Sequence, residues 1–190
     1  MVKTLFPTNK NEPLANYIEG ILSKYVSLGE SKVLEIGCGN GRFGVVLGGR
    51  VGSYSGIDPD KEYIEIARKN FSEINYKVGS AEDIPFDEKF DVLFYSYSWH
   101  FILDFDEAYS EMRRVLDDDG IVFIMEPKGE DSNWASPVLN RGTPEFNEDL
   151  LKRKLKDLER GRKAILENNY FDVVEEIDER SKIYLLKKKK

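Results

Sequence analysis

The hydrophobic and polar positions of this chain alternate between two periods, one typical of short buried strands and one typical of amphipathic helices. Runs rich in β-branched and aromatic residues predict strands at 32–36, 53–57, 75–78, 90–96 and 120–126. Between them, patterns of helical period predict helices at 42–50, 61–70 and 106–116. Pro59 directly after Asp58 favours a helix that opens close to that point.

This alternation predicts an α/β fold of the doubly wound type. Strands separated by helices form a parallel sheet that is covered on both faces. The uninterrupted apolar runs "VLFY" at 92–95 and "IVFIM" at 121–125 suit strands buried on both sides.

The flanking segments extend this core on both sides within a single domain, 1–190. The N-terminal segment, 1–30, contains an amphipathic helix at 11–26 with Leu14, Ile18, Ile21, Leu22 and Tyr25 on one side. The core, 31–127, carries the predicted ligand site. The segment 128–190 contains a loop at 132–144, a long polar helix at 145–169 and an antiparallel hairpin at 171–190 that turns at 178–181.

Composition and net charge limit the kinds of partner that the chain is expected to bind. The net charge of −7 argues weakly against a long-range attraction to nucleic acid or to anionic membranes. The basic residues of the polar helix alternate with acids, which is typical of a solvated helix with internal ion pairs. Cys38 is the only cysteine, and no signal peptide, membrane span or metal-binding motif is expected. We therefore expect a cytoplasmic protein whose surface does not favour nucleic acid.

The glycine-rich stretch "VLEIGCGNGRFG" at 33–44 predicts a ligand loop but fits two patterns. One pattern uses Gly37, Gly39 and Gly41 and suits S-adenosylmethionine. The other uses Gly39, Gly41 and Gly44, is typical of a dinucleotide site, and places Gly37 inside the strand, which would weaken it. In both patterns Asp58, 19 residues after Gly39, is placed to accept ribose hydroxyls.

Glu35 favours the first pattern. It ends the first predicted strand, two residues before Gly37, and we expect its carboxylate to face whatever ligand the loop holds. Beside a pyrophosphate it would be repulsive by about 4 kcal/mol per close pair at an effective dielectric of about 20. Beside an amino group and a sulfonium it would be attractive by a similar amount.

Five motifs in register resemble the small class I S-adenosylmethionine-dependent methyltransferases. They read "VLEIGCGNG", "GIDPD", "GSAEDIPF", "FDVLFYSYSWHFILD" and "EMRRVLDDDGIVFIMEP". The resemblance covers 31–127 and resumes at "LENNYFDVVEEI". It implies a seven-stranded, mostly parallel sheet with helices on both faces and an antiparallel last strand. It also implies S-adenosylmethionine as the cofactor.

The resemblance assigns cofactor contacts to ten residues. The methionine part would be held by Glu35, Gly37, Gly39 and Gly41, the ribose by Asp58, and the adenine by Pro59, Ala81 and Glu82, with Tyr95 and Ser96 closing the pocket floor. Ser80 departs from the family pattern, because relatives often carry an acid there. We therefore expect adenine recognition to use backbone N–H groups and a neutral hydroxyl, with reduced affinity.

Candidate residues for the acceptor side are fewer. His100, the only histidine, follows the fourth strand of the core and is the candidate general base, with loop orientation or packing as the alternative. Tyr17 is a candidate for closing over the bound ligand, or simply an exposed helix tyrosine. Trp134, in the loop after the fifth strand, is a candidate for binding the acceptor.

The sequence therefore predicts methyl transfer to an oxygen or nitrogen of a small-molecule acceptor. An RNA or protein acceptor, an NAD(P)-dependent oxidoreductase and a binding module without transfer activity remain as alternatives. The acceptor and the oligomeric state are not predicted.

Overall fold

The computed structural model describes residues 8–128, 148–179 and 181–189. Its strands are β1 Lys32–Ile36, β2 Ser53–Asp58, β3 Asn75–Val78, β4 Phe90–Ser96, β5 Leu116–Glu126, β6 Phe171–Asp178 and β7 Lys182–Lys188. Its helices are α1 Thr8–Leu22, α2 Arg42–Leu47, α3 Lys61–Asn70, α4 Phe105–Val115 and α5 Glu148–Glu167. Short 3₁₀ turns lie at Leu28–Glu30 and Trp99–Phe101.

The strands form one seven-stranded sheet in the order β3-β2-β1-β4-β5-β7-β6. The first five strands are parallel, while β7 lies antiparallel to both β5 and β6. This confirms the predicted α/β fold with an antiparallel hairpin at one edge. The strand order reverses between β1 and β4, and open sheets of this kind bind ligands outside the carboxyl ends of the strands at such a point.

Helices cover both faces of the sheet. On one face, α4 and α5 bury Met112 and Ile165 against Leu34, Leu93 and Ile124. On the other face, α1 and α2 bury their apolar side chains against the outward-alternating residues of the same strands. The predicted face of α1 is confirmed: Ile18, Ile21 and Leu22 are buried, and Leu14 and Tyr25 pack partly buried beside them.

Several predicted boundaries differ from the structure. Helix α1 ends at Leu22, whereas the pattern predicted 26, and α2 ends at Leu47. Strand β5 begins at Leu116, four residues before the predicted start, because its pairing with β4 jumps from Leu116 to Ile121. Asp117, Asp118 and Asp119 therefore form an exposed bulge within the strand.

No helix in the described ranges is long and apolar enough to cross a membrane. The predicted loop 132–144 and the start of the polar helix at 145 lie outside the described residues.

Candidate active site

A cleft of about 280 Å³ opens at the carboxyl ends of β1, β2 and β4, where the strand order reverses. Six of the predicted cofactor residues line this cleft, namely Gly37, Asp58, Pro59, Ala81, Glu82 and Tyr95. The fold thus brings together residues from four separate segments of the chain.

The glycine loop adopts a conformation that selects between the two sequence patterns. Gly37, Gly39 and Gly41 all have positive φ angles, of 78°, 52° and 83°. Strand β1 ends at Ile36, so Gly37 is the first residue of the turn rather than part of the strand. A Cβ at Gly37 would lie 2.3 Å from Cβ of Ser98, which only glycine avoids. The backbone therefore fits the pattern that begins at Gly37.

Asp58 ties this loop to the end of β2. Its Oδ2 accepts a hydrogen bond from the N–H of Gly39 at 2.8 Å, and its Oδ1 accepts one from the N–H of Asp60 at 2.9 Å. The carboxylate is only 8% exposed but lines the cleft.

Glu35 lies elsewhere than the sequence argument expected. Its carboxyl is 1% exposed and accepts a hydrogen bond from the hydroxyl of Tyr54 at 2.9 Å. It is not among the residues that line the cleft, because side chains alternate along β1 and its neighbour Ile36 takes the cleft side. Its contact with a ligand stays a prediction.

Burial also changes the charge of Glu35. Loss of water raises the pKa of this carboxyl to about 8, although the Tyr54 hydrogen bond and nearby Arg42 act in the opposite direction. The ionised carboxylate that we expected to attract a cation is therefore not the form that this burial favours at neutral pH. The choice between the two glycine patterns depends on the loop conformation instead.

Glu82 links the loop after β3 to the loop before α4. Its Oε1 accepts hydrogen bonds from the N–H groups of Leu103 at 2.9 Å and Asp104 at 3.4 Å. Partial burial acts to raise the pKa of Glu82, but these hydrogen bonds outweigh it and the pKa is lowered. The Ser80 hydroxyl also lies in this wall of the cleft and accepts from the N–H of Glu82 at 3.2 Å.

The end of β4 forms the floor of the cleft. Tyr95 is completely buried, and its hydroxyl has no hydrogen-bond partner within the described residues. Burial raises the pKa of this hydroxyl well above its usual value. Ser96 is 8% exposed and does not line the cleft, since it points to the other face of the sheet. A role for Ser96 in closing the floor stays a prediction.

Tyr97 continues this floor in a strained backbone conformation. Its φ of 57° is the one positive value at a non-glycine residue within the described ranges. Its N–H donates to the carbonyl of Met125 at 2.8 Å, and its hydroxyl lies 2.8 Å from the hydroxyl of Ser181. Contacts to two neighbouring strands hold the strained residue, as is typical of functional sites.

His100 pairs with a carboxylate that the sequence patterns did not indicate. Its Nδ1 lies 2.6 Å from Oε2 of Glu126, the last residue of β5, and each side chain is 2% exposed. The imidazole is not among the groups that line the cleft, but its ring packs 4.1 Å from that of Phe101, which does. The role of His100 as a base stays a prediction.

The remaining candidates lie apart from the cleft or outside the described chain. The hydroxyl of Tyr17 donates to Oε2 of Glu179 at 3.0 Å, next to the β6–β7 turn. Tyr17 does not line the cleft, so its contact with a ligand stays a prediction. Trp134 lies outside the described residues. In the described part of the chain, no cluster of three or more His, Cys, Asp or Glu residues suits a metal ion.

The arginines of α5 bond to the protein itself. Arg160 Nη2 donates to the carbonyl of Ile102 at 2.6 Å, and Arg162 Nη2 donates to the carbonyl of Pro127 at 2.5 Å. Lys163 lies 3.7 Å from Glu167 one turn further along. Two of the arginines of this helix therefore serve internal contacts, and Lys163 pairs with Glu167 at the surface.

Comparison with known proteins agrees with this geometry. Residues 34–124 match the family model of a methyltransferase domain. The segment 34–124 is therefore similar to the methyltransferase domains of the class I, Rossmann-like fold. The matched range runs from β1 to β5 and includes the glycine loop, Asp58 and the end of β4.

Individual relatives support the same family. The chain is 30% identical over 126 residues to an uncharacterised methyltransferase of Staphylococcus carnosus, an alignment that covers 65% of this chain and 60% of the relative. It is 36% identical over 97 residues to the ubiquinone biosynthesis O-methyltransferase of Pelagibacter ubique, covering 49% of this chain and 40% of the relative. The chain therefore spans less than two thirds of either relative.

A solved structure confirms the fold over most of the chain. The S-adenosylmethionine-dependent methyltransferase of Clostridium acetobutylicum superposes with a TM-score of 0.63 at 14% identity, covering 93% of this chain and 91% of its own.

Several residues that line the cleft were not indicated by any sequence pattern. They are Ile36, Tyr63, Tyr97, Ser98, Phe101 and Ile102. Tyr63 lies in the first turn of α3, directly after the Asp58–Pro59 motif, and that position was its available signal. The others surround the loop after β4, whose path depends on the β1 and β5 contacts rather than on a local pattern.

Proposed function

We propose that this protein binds S-adenosylmethionine in the cleft and transfers its methyl group to an oxygen or nitrogen of a small-molecule acceptor. The observation that carries the proposal is the turn of left-handed glycines from Gly37 to Gly41, joined through the Gly39 N–H to the buried carboxylate of Asp58. Gly37, the first residue of this turn, lines the cleft at the point where the strand order reverses, whereas Gly39 and Gly41 do not line it.

The residues present fit the cofactor. Gly39 has open space where a Cβ would be, which allows close approach of the methionine part. The carboxylate of Asp58 lines the cleft, where a carboxylate can accept hydrogen bonds from ribose hydroxyls, and Pro59, Tyr63 and Ala81 offer apolar surface for the adenine. The buried hydroxyl of Tyr95, without a partner in the described ranges, is available to donate to a bound molecule. When bound, the cofactor supplies a methyl group activated by a positively charged sulfur.

The chain's own contribution is alignment and exclusion of water. In-line displacement needs the acceptor, methyl group and sulfur held in one geometry, which lowers the barrier without a protein nucleophile. The strained Tyr97 and the Ser98 contact to the glycine loop fix the floor between the two reactants.

Two observations support a small acceptor. Arg160 and Arg162 of α5 are bonded to internal carbonyls, which reduces the basic surface available to RNA. The relative from Pelagibacter ubique is an O-methyltransferase of ubiquinone biosynthesis and therefore acts on a small molecule.

Calorimetry tests the cofactor assignment. S-adenosylmethionine and S-adenosylhomocysteine are expected to bind, and Asp58→Ala is expected to weaken both by roughly 10- to 100-fold, the range for about 1.5–3 kcal/mol per hydrogen bond to a charged group. Asp172→Ala, which removes an exposed carboxylate on β6, is the matched control and should bind normally. Binding of NADH without any response to S-adenosylmethionine would refute the proposal.

A further inference from the structure

Phe101 is an exposed aromatic side chain at the mouth of the cleft. It lines the cleft and is 56% exposed. It is also the one aromatic residue among the exposed large apolar side chains of the described ranges. Single exposed apolar residues are ordinary at a protein surface. The features that distinguish Phe101 are therefore its place in the cleft and the rigidity of the turn that carries it.

Helix α5 fixes the turn Trp99–Phe101. The Arg160 guanidinium donates to three carbonyls of this part of the chain, most closely to that of Ile102 at 2.6 Å. The indole N–H of Trp99, which is completely buried, donates to the Gly161 carbonyl at 2.9 Å. The backbone is thus anchored on both sides of the exposed ring.

The ring of Phe101 is also supported on one side. Its centroid lies 4.1 Å from that of the His100 imidazole, with the two planes tilted by 42°. His100 is 2% exposed and is hydrogen-bonded to Glu126 at the end of β5, so this support is itself fixed. A ring that is held in this way can receive a partner without first being ordered, which reduces the entropy cost of binding.

The position of Phe101 separates it from the predicted nucleoside contacts. Asp58 and Pro59 lie at the end of β2, whereas Phe101 packs against His100, which is bonded to the end of β5. In the order β2-β1-β4-β5 these points are roughly two to three strand spacings apart, or roughly 10–14 Å at about 4.8 Å per strand. Phe101 therefore lies toward the part of the cleft that a bound nucleoside would leave to the acceptor.

The size of the cleft favours an acceptor at its mouth. Its volume of about 280 Å³, as formed by the described residues, is at the lower end of the range for a pocket that holds one ligand. A bound cofactor would fill most of this volume. The acceptor would then lie where the cleft opens and where Phe101 is exposed.

We propose that Phe101 is a specificity-determining residue that packs against an aromatic ring of the methyl acceptor, so that the acceptor is an arene carrying the hydroxyl or amino group to be methylated. This inference rests on the proposed methyl transfer and names the substrate class of the same site.

An aromatic ring suits this surface better than an alkyl chain. Two aromatic rings attract each other through the edge of one and the face of the other, beyond the burial of apolar area. Ile102 already lines the cleft and would serve an aliphatic acceptor equally well. Tyr97, which also lines the cleft after β4, offers the acceptor a second aromatic surface.

Nuclear magnetic resonance titration tests the acceptor class by binding alone. Protein labelled with ¹⁵N, with S-adenosylhomocysteine present, is titrated with three pairs of alcohols: phenol and cyclohexanol, 1-naphthol and decahydro-1-naphthol, and catechol and cyclohexane-1,2-diol. The saturated member of each pair can bury as much apolar area, so a preference for the aromatic member reports contact between rings. We expect shifts of the amide signals of residues 97–103 and affinity about 2- to 12-fold higher for the aromatic members.

Variants of Phe101 assign this preference to its ring. Phe101→Leu keeps an exposed apolar side chain without the ring and should abolish the aromatic preference, while affinity for the saturated alcohols and for S-adenosylhomocysteine is retained. Phe101→Tyr should keep the preference. A purely structural role would weaken both members of each pair alike. Leu166→Ala, at an exposed leucine of α5 that does not line the cleft, is the matched control.

The outcomes separate the two proposals. Equal affinity for both members of every pair, or an aromatic preference that survives in Phe101→Leu, overturns the inference and leaves the proposed function standing. Shifts of the same amide signals with protein concentration alone would identify a second copy of the chain as the occupant and overturn it as well. Failure of S-adenosylmethionine and S-adenosylhomocysteine to bind contradicts the proposed function itself, whichever alcohols bind.

Discussion

Replacing Glu35 by glutamine removes one ionisable group from the core while preserving its shape and its ability to accept the Tyr54 hydrogen bond. In the wild type this carboxyl has a pKa of about 8, raised from 4.5 mainly by burial. The unfolded chain loses this proton near pH 4.5, whereas the folded chain keeps it up to about pH 8. Between these values the unfolded state binds fewer protons, so the wild-type free energy of unfolding falls as pH rises.

The size of the effect follows from the two pKa values. The interval between 4.5 and about 8 corresponds to about 5 kcal/mol at about 1.4 kcal/mol per pKa unit, an upper bound for the loss of stability. Below pH 4.5 both states are protonated and this contribution is fully retained. Above pH 8 both are ionised and no further loss occurs. Over the accessible range from pH 5 to 8, Glu35→Gln should gain about 4 kcal/mol relative to wild type.

Urea denaturation followed by circular dichroism at several values between pH 5 and 8 measures this difference. Other groups titrate alike in both proteins, so subtracting the two curves isolates Glu35. The matched control is Glu65→Gln, whose carboxyl is 62% exposed beside Lys61. A difference between Glu35→Gln and wild type that is constant across this pH range would show that Glu35 is already ionised in the folded chain.

Three further variants test the glycine loop and one wall of the cleft. Gly37→Ala should destabilise the chain more than Gly39→Ala in thermal unfolding: both demand a left-handed residue, at about 1–2 kcal/mol, but only the first also meets Ser98. Equal losses would contradict the close contact. Glu82→Ala should destabilise by roughly 0.5–1.5 kcal/mol, since it removes the hydrogen bond to the exposed N–H of Leu103, which water can then bind; an unchanged melting temperature would contradict this role.

The fold was predictable where local pattern and tertiary burial agree. Helix α3 runs from Lys61 to Asn70 as predicted, because Asp60 caps its first turn by accepting from the N–H of Glu62 at 2.9 Å. The start of β5 was not predictable, because three consecutive aspartates indicate a turn. The sheet instead tolerates them as an exposed bulge between the buried pairs at Leu116 and Ile121.

The site was predictable to the extent that its residues lie in the glycine loop and at the end of β2. Gly37 and Asp58 can be recognised from their spacing along the chain. Glu35 lies only two residues before Gly37 in the sequence. The alternation of side chains along β1 nevertheless directs its carboxyl away from the cleft, where it accepts a hydrogen bond from Tyr54. Glu126 was missed because its significance arises only when β4 and β5 bring it within 2.6 Å of His100.

Ser98 and Gly37, the first glycine of the loop, both line the cleft and lie in direct contact, so they form one continuous part of its wall. The Ser98 hydroxyl donates to the Ile36 carbonyl at 2.6 Å, and there is no room between Ser98 and Gly37 for even one additional carbon atom. Under the proposed function, a change that reshapes this wall for a different acceptor would also alter the predicted contact of Gly37 with the methionine part of the cofactor. New acceptor specificities would therefore arise through changes in other segments, while the contact between Gly37 and Ser98 is retained.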